Sequence, residues 1–174
     1  FTWRAAFLGF LIAVCIEIFR FSIRFGIGDT FYTKKQIRQR LNIPVLGLWY
    51  QTDNHHDGEE ELQTSLAVQS VMNQDVIFVD VINWNYAEQF HEQYTSIYSP
   101  KANGSLQTIS YPITKQEEYD KLKNANIVLI IPFGIPCANQ AEDIVCELQR
   151  RNCHIAGAVL TNCNYKWVKA CLLY

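Results

Sequence analysis

Two hydrophobic periods alternate along this chain. Four short apolar runs stand out: VLGLWY after Pro44, VIFVDV from Val76 to Val81, IVLIIPF from Ile127 to Phe133, and HIAGAVLTN from His154 to Asn162. Runs of this length, bounded by turn residues, predict strands buried on both faces. Between them the period changes to that of a helix. From about Glu59 to Met72, the positions Leu62, Leu66, Val68, Val71 and Met72 predict a broad apolar stripe. Ala141, Ile144, Val145 and Leu148 fall at i, i+3, i+4 and i+7 of a helix that runs to Arg151 and opens on a capping-box-like Asn139 and Glu142. TKKQIRQRL predicts a short basic helix with Thr33 as its N-cap. Residues 84–123 are less regular: a helical NWNYAEQFHEQY, a turn at Asn103-Gly104, a strand in LQTISYPI and a polar helix in KQEEYDKLKNA. Strands alternating with helices predict an α/β fold, a mostly parallel sheet with helices on both faces.

The N-terminal stretch FTWRAAFLGFLIAVCIEIF is the most apolar part of the chain. Its uninterrupted run, Ala5 to Ile16, is 12 residues long, against about 20 for a full bilayer span. With Arg4 and Glu17 snorkelling to the two interfaces, the expectation is an N-terminal transmembrane helix rather than a signal peptide or a buried core helix. Arg20, Arg24, Lys34, Lys35, Arg38 and Arg40 follow it, which predicts an inner-membrane protein with its C-terminal domain in the cytoplasm. The expected organisation is a transmembrane and juxtamembrane helix over 1–27, a basic connector over 28–42, the α/β domain over 43–164 and a tail over 165–174. The chain begins at Phe1 and its only methionine is Met72, which predicts a piece of a longer protein.

Composition narrows the classes. A net charge of -2 argues against general affinity for nucleic acid. The 6 cysteines form no C-x-x-C pair and no His cluster has zinc-finger spacing, so free thiols and no metal are expected. The loop residues Asp53, His55, His56 and Asp57 are metal-ligand types but read first as a solvated polar loop. Nothing resembles a nucleophile elbow.

The order of features resembles the Wzz-type polysaccharide copolymerases and their attached bacterial tyrosine kinases (BY-kinases). After the membrane helix that family has a segment of the form "D..i.t.edve..lglPVLG", and Asp29, Thr33, Ile37, Leu41, Ile43 and Pro44-Val45-Leu46-Gly47 fit it. A P-loop segment like "TSSNPGEGKSTTAANLAV…KVLLIDAD" follows in the family. Asn54, Gly58, Leu66, Ala67 and Val68 match it, and Asp80 falls on the first aspartate of "DAD". The departures fall on the chemistry. The lysine position holds Glu59, the Ser/Thr position Glu60 and the first glycine of "GEG" His56; the second aspartate falls on Ile82, and no "iiDtPP" strand is present. The tyrosine cluster is reduced to Tyr165 and Tyr174.

A P-loop surrounds polyphosphate with backbone N–H groups and a lysine. A glutamate in the lysine position repels instead; at an effective dielectric of about 20, one like-charge pair at about 4 Å costs on the order of 4 kcal/mol before screening. Acids at a helix N-terminus are nevertheless favourable to the helix itself. The resemblance thus implies a degenerate P-loop at His56, Gly58, Glu59 and Glu60, a remnant acid at Asp80, no catalytic residue and no cofactor. It implies a membrane-anchored regulatory or structural role in capsule or exopolysaccharide chain-length control. The implied partners are the lipid bilayer, further copies of the chain, and a polysaccharide polymerase or cognate tyrosine kinase. The alternatives are an active kinase or ATPase with a divergent nucleotide site, and a soluble flavodoxin-like signalling domain.

Overall fold

The computed structural model describes residues 2–26, 28–50, 58–72, 74–97, 105–164 and 168; of residues 2, 4–6, 21–26, 58–61 and 97 it describes the backbone alone. Helix α1 spans Thr2–Gly26, and α2, Lys34–Leu41, follows a short linker. Strand β1, Val45–Tyr50, then leads towards α3, Gly58–Val71. The remaining elements alternate: β2 Val76–Asp80, α4 Tyr86–Ile97, β3 Leu106–Ser110, α5 Gln116–Lys123, β4 Asn126–Pro132, α6 Ala138–Arg150 and β5 His154–Cys163.

The five strands form one fully parallel sheet in the order β1-β5-β4-β2-β3. Its two faces are separate cores. On one, Ile37 and Leu41 of α2, Tyr119 and Leu122 of α5, and Ile144, Val145 and Leu148 of α6 cover Ile127, Leu129 and Ile131. On the other, Val68 of α3, Met72 just beyond it, and Phe90 and Tyr94 of α4 cover Phe78, Val128 and Ile130. β2 and β4 are buried throughout, apart from Asn126 at the start of β4. Each fully buried large apolar side chain contributes about 1.5–3 kcal/mol, which is why the apolar runs become central strands.

The expected transmembrane helix is corrected. Among the described residues, no helix is long and apolar enough to cross a membrane. The physical reason lies in the interruptions: Glu17 ends the apolar run, and Arg20 sits one helical turn later, at 3.4 Å from it. What α1 does show is apolar surface on all sides. Phe7, Phe10, Ile12, Ile16 and Phe19 are each more than half exposed.

The basic segment 28–42 does more than connect. Phe31 and Ile37 are fully buried and Leu41 nearly so. Thr33 caps α2 through a complete capping box with Gln36. The expected stripe on α3 is also redrawn. Leu62 and Leu66 are exposed, while Thr64 and Ser65 are buried beside Val68 and Met72. Gly47 explains this: a Cβ there would fall on the Thr64 side chain, so the absence of one lets α3 seat Thr64 against β1, where its hydroxyl donates to the Leu48 carbonyl at 2.9 Å.

Candidate functional site: the carboxyl end of the sheet

In an open parallel sheet, ligands bind beyond the carboxyl ends of the strands, where neighbouring strands send their connections to opposite faces. Here β2 leads to α4 on one face and its neighbour β4 leads to α6 on the other. The switch point therefore lies between residues 81–85 and residues 133–137. The P-loop-like segment follows β1, which is an edge strand two places from β4.

Asp80 closes β2 and is completely buried. Its Oδ1 accepts from the Ile82 N–H at 3.1 Å; its Oδ2 accepts from Tyr86 at 2.6 Å and Ala87 at 3.3 Å. The side chain thus takes up the first free N–H groups of α4, the groups that would otherwise receive an anionic ligand. Asn83 and Asn85 make the reversal by adopting left-handed φ values of 53° and 60°. Trp84, between them, is 61% exposed.

The first turn of α6 is filled the same way, from far along the chain. The Asp29 carbonyl accepts from Cys137 at 2.6 Å and Ala138 at 3.0 Å, and its carboxylate accepts from the Asn139 N–H at 2.6 Å. The helix starts at Ala138 with Cys137 as N-cap, so the expected Asn139/Glu142 capping box does not form. Both side chains go to Arg40 instead. Its Nε donates to Glu142 Oε1 at 2.7 Å, its Nη2 to Asn139 Oδ1 at 3.3 Å, and its Nη1 to the Gly28 carbonyl at 3.1 Å. Thr30 bridges to Pro136, and the Gly134 N–H donates to the Phe31 carbonyl at 3.0 Å, strapping the linker across the loop.

Cys137 is buried behind this strap. A thiol at a helix N-terminus normally has its pKa lowered. Here burial pushes it up to about 12, with the Asp29 and Asp80 charges acting in the same direction and Arg40 only partly opposing them. Burial, followed by the Asp80 charge, raises Tyr86 as well.

A cleft of about 140 Å³ lies to one side, between Trp49 and Tyr50 of β1, Thr161 and Asn162 of β5, and Tyr86 and Gln93 of α4. Cofactor pockets run to about 300–1,000 Å³. Its wall is fixed by the Trp49 indole N–H, which donates to Gln93 at 2.8 Å, and by Phe90 packed edge-on to Trp49 at 5.0 Å.

Of the residues expected at a degenerate P-loop, His56 lies outside the described residues, as do Asp53, His55 and Asp57. Gly58, Glu59 and Glu60 form the first turn of α3. Asp80 is at the switch point, held by the backbone as above. Tyr165 and Tyr174 also lie outside the described residues. His91 is half-buried on α4 with its ring 6.1 Å from that of Phe78; His154 is exposed and pairs with Asn126 Oδ1 at 2.9 Å. β4 ends in Pro132 without an acid. Among the described residues no group of His, Cys, Asp or Glu side chains has a metal-binding arrangement, and every buried side-chain polar atom has a partner.

No family model, no curated protein and no solved structure matches this chain. The flavodoxin-like order is 2-1-3-4-5. The order found here is the same with the last strand supplied first: β1 takes the outer position beside β5.

Proposed function

We propose that this chain is a non-catalytic α/β domain that works through contacts with other macromolecules. One observation carries the reading: the helix N-termini at the switch point are taken up by the chain's own carboxylates, Asp80 on α4 and Asp29 on α6. A phosphate group entering there would have to displace two satisfied anions and would meet their charge. Glu59, Glu60 and Glu61 add further acids to the first turn of α3. The apolar surface of α1 supplies the contact element, because a helix apolar on all sides is stable only when another surface covers it.

The biological setting we propose rests on the resemblance to the Wzz and BY-kinase proteins: a regulatory or structural component of capsule or exopolysaccharide chain-length control, associated with further copies, a polymerase or a cognate kinase. A place at the inner membrane belongs to this reading through such assemblies rather than through a membrane-crossing helix. A second reading, a flavodoxin-like signalling domain, is favoured by the strand order. The two share a parallel α/β sheet covered on both faces and differ in the fold family and the partner they imply.

The test is calorimetric titration of Mg-ATP into the full chain, held in nonionic detergent because of α1. The reading predicts no heat and no thermal shift at millimolar ATP. Saturable binding of Mg-ATP by the wild-type chain would replace it with a divergent kinase or ATPase.

A further inference from the structure

The two edges of the sheet differ. β1 is buried at every position except the half-buried Leu46. Among the described residues β3 is the open edge: Gln107 and Ser110 are exposed, and Leu106, Thr108 and Ile109 are half-buried. Its pairing with β2 is in register from Val76↔Leu106 to Asp80↔Ser110, without a bulge. The flanking bonds fix which backbone groups remain. Val76 N–H donates to the Ser105 carbonyl and Tyr111 N–H to the Asp80 carbonyl. In a parallel ladder the bonding residues alternate. Ser105, Gln107, Ile109 and Tyr111 therefore bond inward, and the N–H and C=O groups of Leu106, Thr108 and Ser110 point out of the sheet.

Natural edges are blunted by a lysine, a proline, a bulge or an inward charge. LQTIS has none of these. Its outward groups are also spaced symmetrically about Thr108. An antiparallel copy, related by a two-fold axis through Thr108, would set Thr108 against Thr108 and Leu106 against Ser110. Every outward N–H and C=O then meets a partner. Self-pairing sets identical charges close together, so a single lysine or glutamate in this strand would oppose it. The strand is uncharged, and the chain as a whole carries only -2. A Thr–Thr pair at the centre is favourable in its own right.

We infer that β3 pairs with β3 of a second copy of this chain, joining two five-stranded sheets into one continuous sheet. The inference gives a surface to the further copies in that proposal and rests on it to that extent; it concerns the edge opposite β1 and holds whether or not nucleotide binds.

The experiment is light scattering of the full chain in nonionic detergent, with oxidative cross-linking of Thr108→Cys. A hydrogen-bonded antiparallel pair places its Cα atoms about 5.5 Å apart, within the range a disulfide spans. Thr108→Cys should cross-link above the background that wild type shows through exposed Cys15 and Cys146. Gln107→Cys, whose side chain points to the other face and is offset from its copy, should stay at that background. Thr108→Lys should weaken dimerisation at least tenfold with an unchanged circular-dichroism melt. If Thr108→Lys melts early, the cross-linking pair decides alone. A monomeric wild type, dimers indifferent to Thr108→Lys in a variant with the wild-type melt, or Thr108→Cys that cross-links no faster than Gln107→Cys would overturn the pairing. Capture of a different protein through this edge, with no self-association, would overturn it too.

Discussion

Single residues at the carboxyl end of the sheet carry most of what is distinctive here. Arg40 joins α2 to the linker at Gly28 and to α6 at Asn139 and Glu142. The pair with Glu142 is about one-third exposed, so its charge alone is worth under about 1 kcal/mol. Its weight comes from geometry. Arg40→Lys keeps the charge and loses the fork, so faster amide exchange at Gly134, Cys137 and Asn139 is expected in both Arg40→Lys and Arg40→Ala, with little change in global stability. Wild-type exchange in Arg40→Lys would mean that charge alone holds the strap. Cys137 gives a pH signature. Folding raises its pKa from 9.0 to about 12, so the folded chain keeps a proton that the unfolded chain releases. This contribution to stability is complete below about pH 9 and is lost as pH rises towards 12, at up to about 1.4 kcal/mol per unit. Tyr119, also raised to about 12, chiefly by burial and then by its hydrogen bond to Glu147, adds to the loss above pH 10. Urea midpoints should therefore fall between pH 9 and 11, and less steeply in Cys137→Ala. For the same reason iodoacetamide at pH 8 should label exposed Cys146 long before Cys137 or Cys153; even labelling would contradict the burial. The sequence showed Thr33 as a cap because its partner Gln36 is three residues away. It could not show Asp29 as the cap of α6, because the partner lies 110 residues on.

At the scale of elements, the apolar runs and the helix on Ala141, Ile144, Val145 and Leu148 were legible because period and burial coincide there. α3 was legible in extent but not in orientation. Its buried face includes Thr64 and Ser65, and what selects it is Gly47 on β1, a tertiary feature outside the helical pattern. Gly47→Ala should accordingly cost about 1–3 kcal/mol through overpacking, measured by urea unfolding. Gly47→Ala combined with Thr64→Gly should recover part of that loss, and strict additivity would show that the two sites do not meet. α1 was legible as apolar, but Glu17 and Arg20 break the run that a membrane span requires. β3 was legible as a strand; its position on the open edge was not, since edge position depends on the pairing of β2.

For the whole molecule, strand order was the quantity hidden from the sequence, because it is decided by which faces the helices α3 to α6 choose to cover. That order moves the switch point from the loop after β1 to the loops after β2 and β4. Asp80, which looks like a remnant phosphate-site acid along the sequence, becomes in the fold the cap of α4 beside that point and Asp29 the cap of α6, while Glu59 and Glu60 stay in the first turn of α3 after the edge strand. The most direct test of this account is the unfolding free energy of Asp80→Ala in urea at pH 7. Removing the cap leaves the N–H groups of Ile82, Tyr86 and Ala87 without their acceptor in a buried site, so a loss of about 2–3 kcal/mol is expected. An acid kept for magnesium or catalysis would be a strained, buried charge whose removal leaves stability unchanged or raised. Unchanged or increased stability would contradict the structural role and return Asp80 to the list of reactive groups.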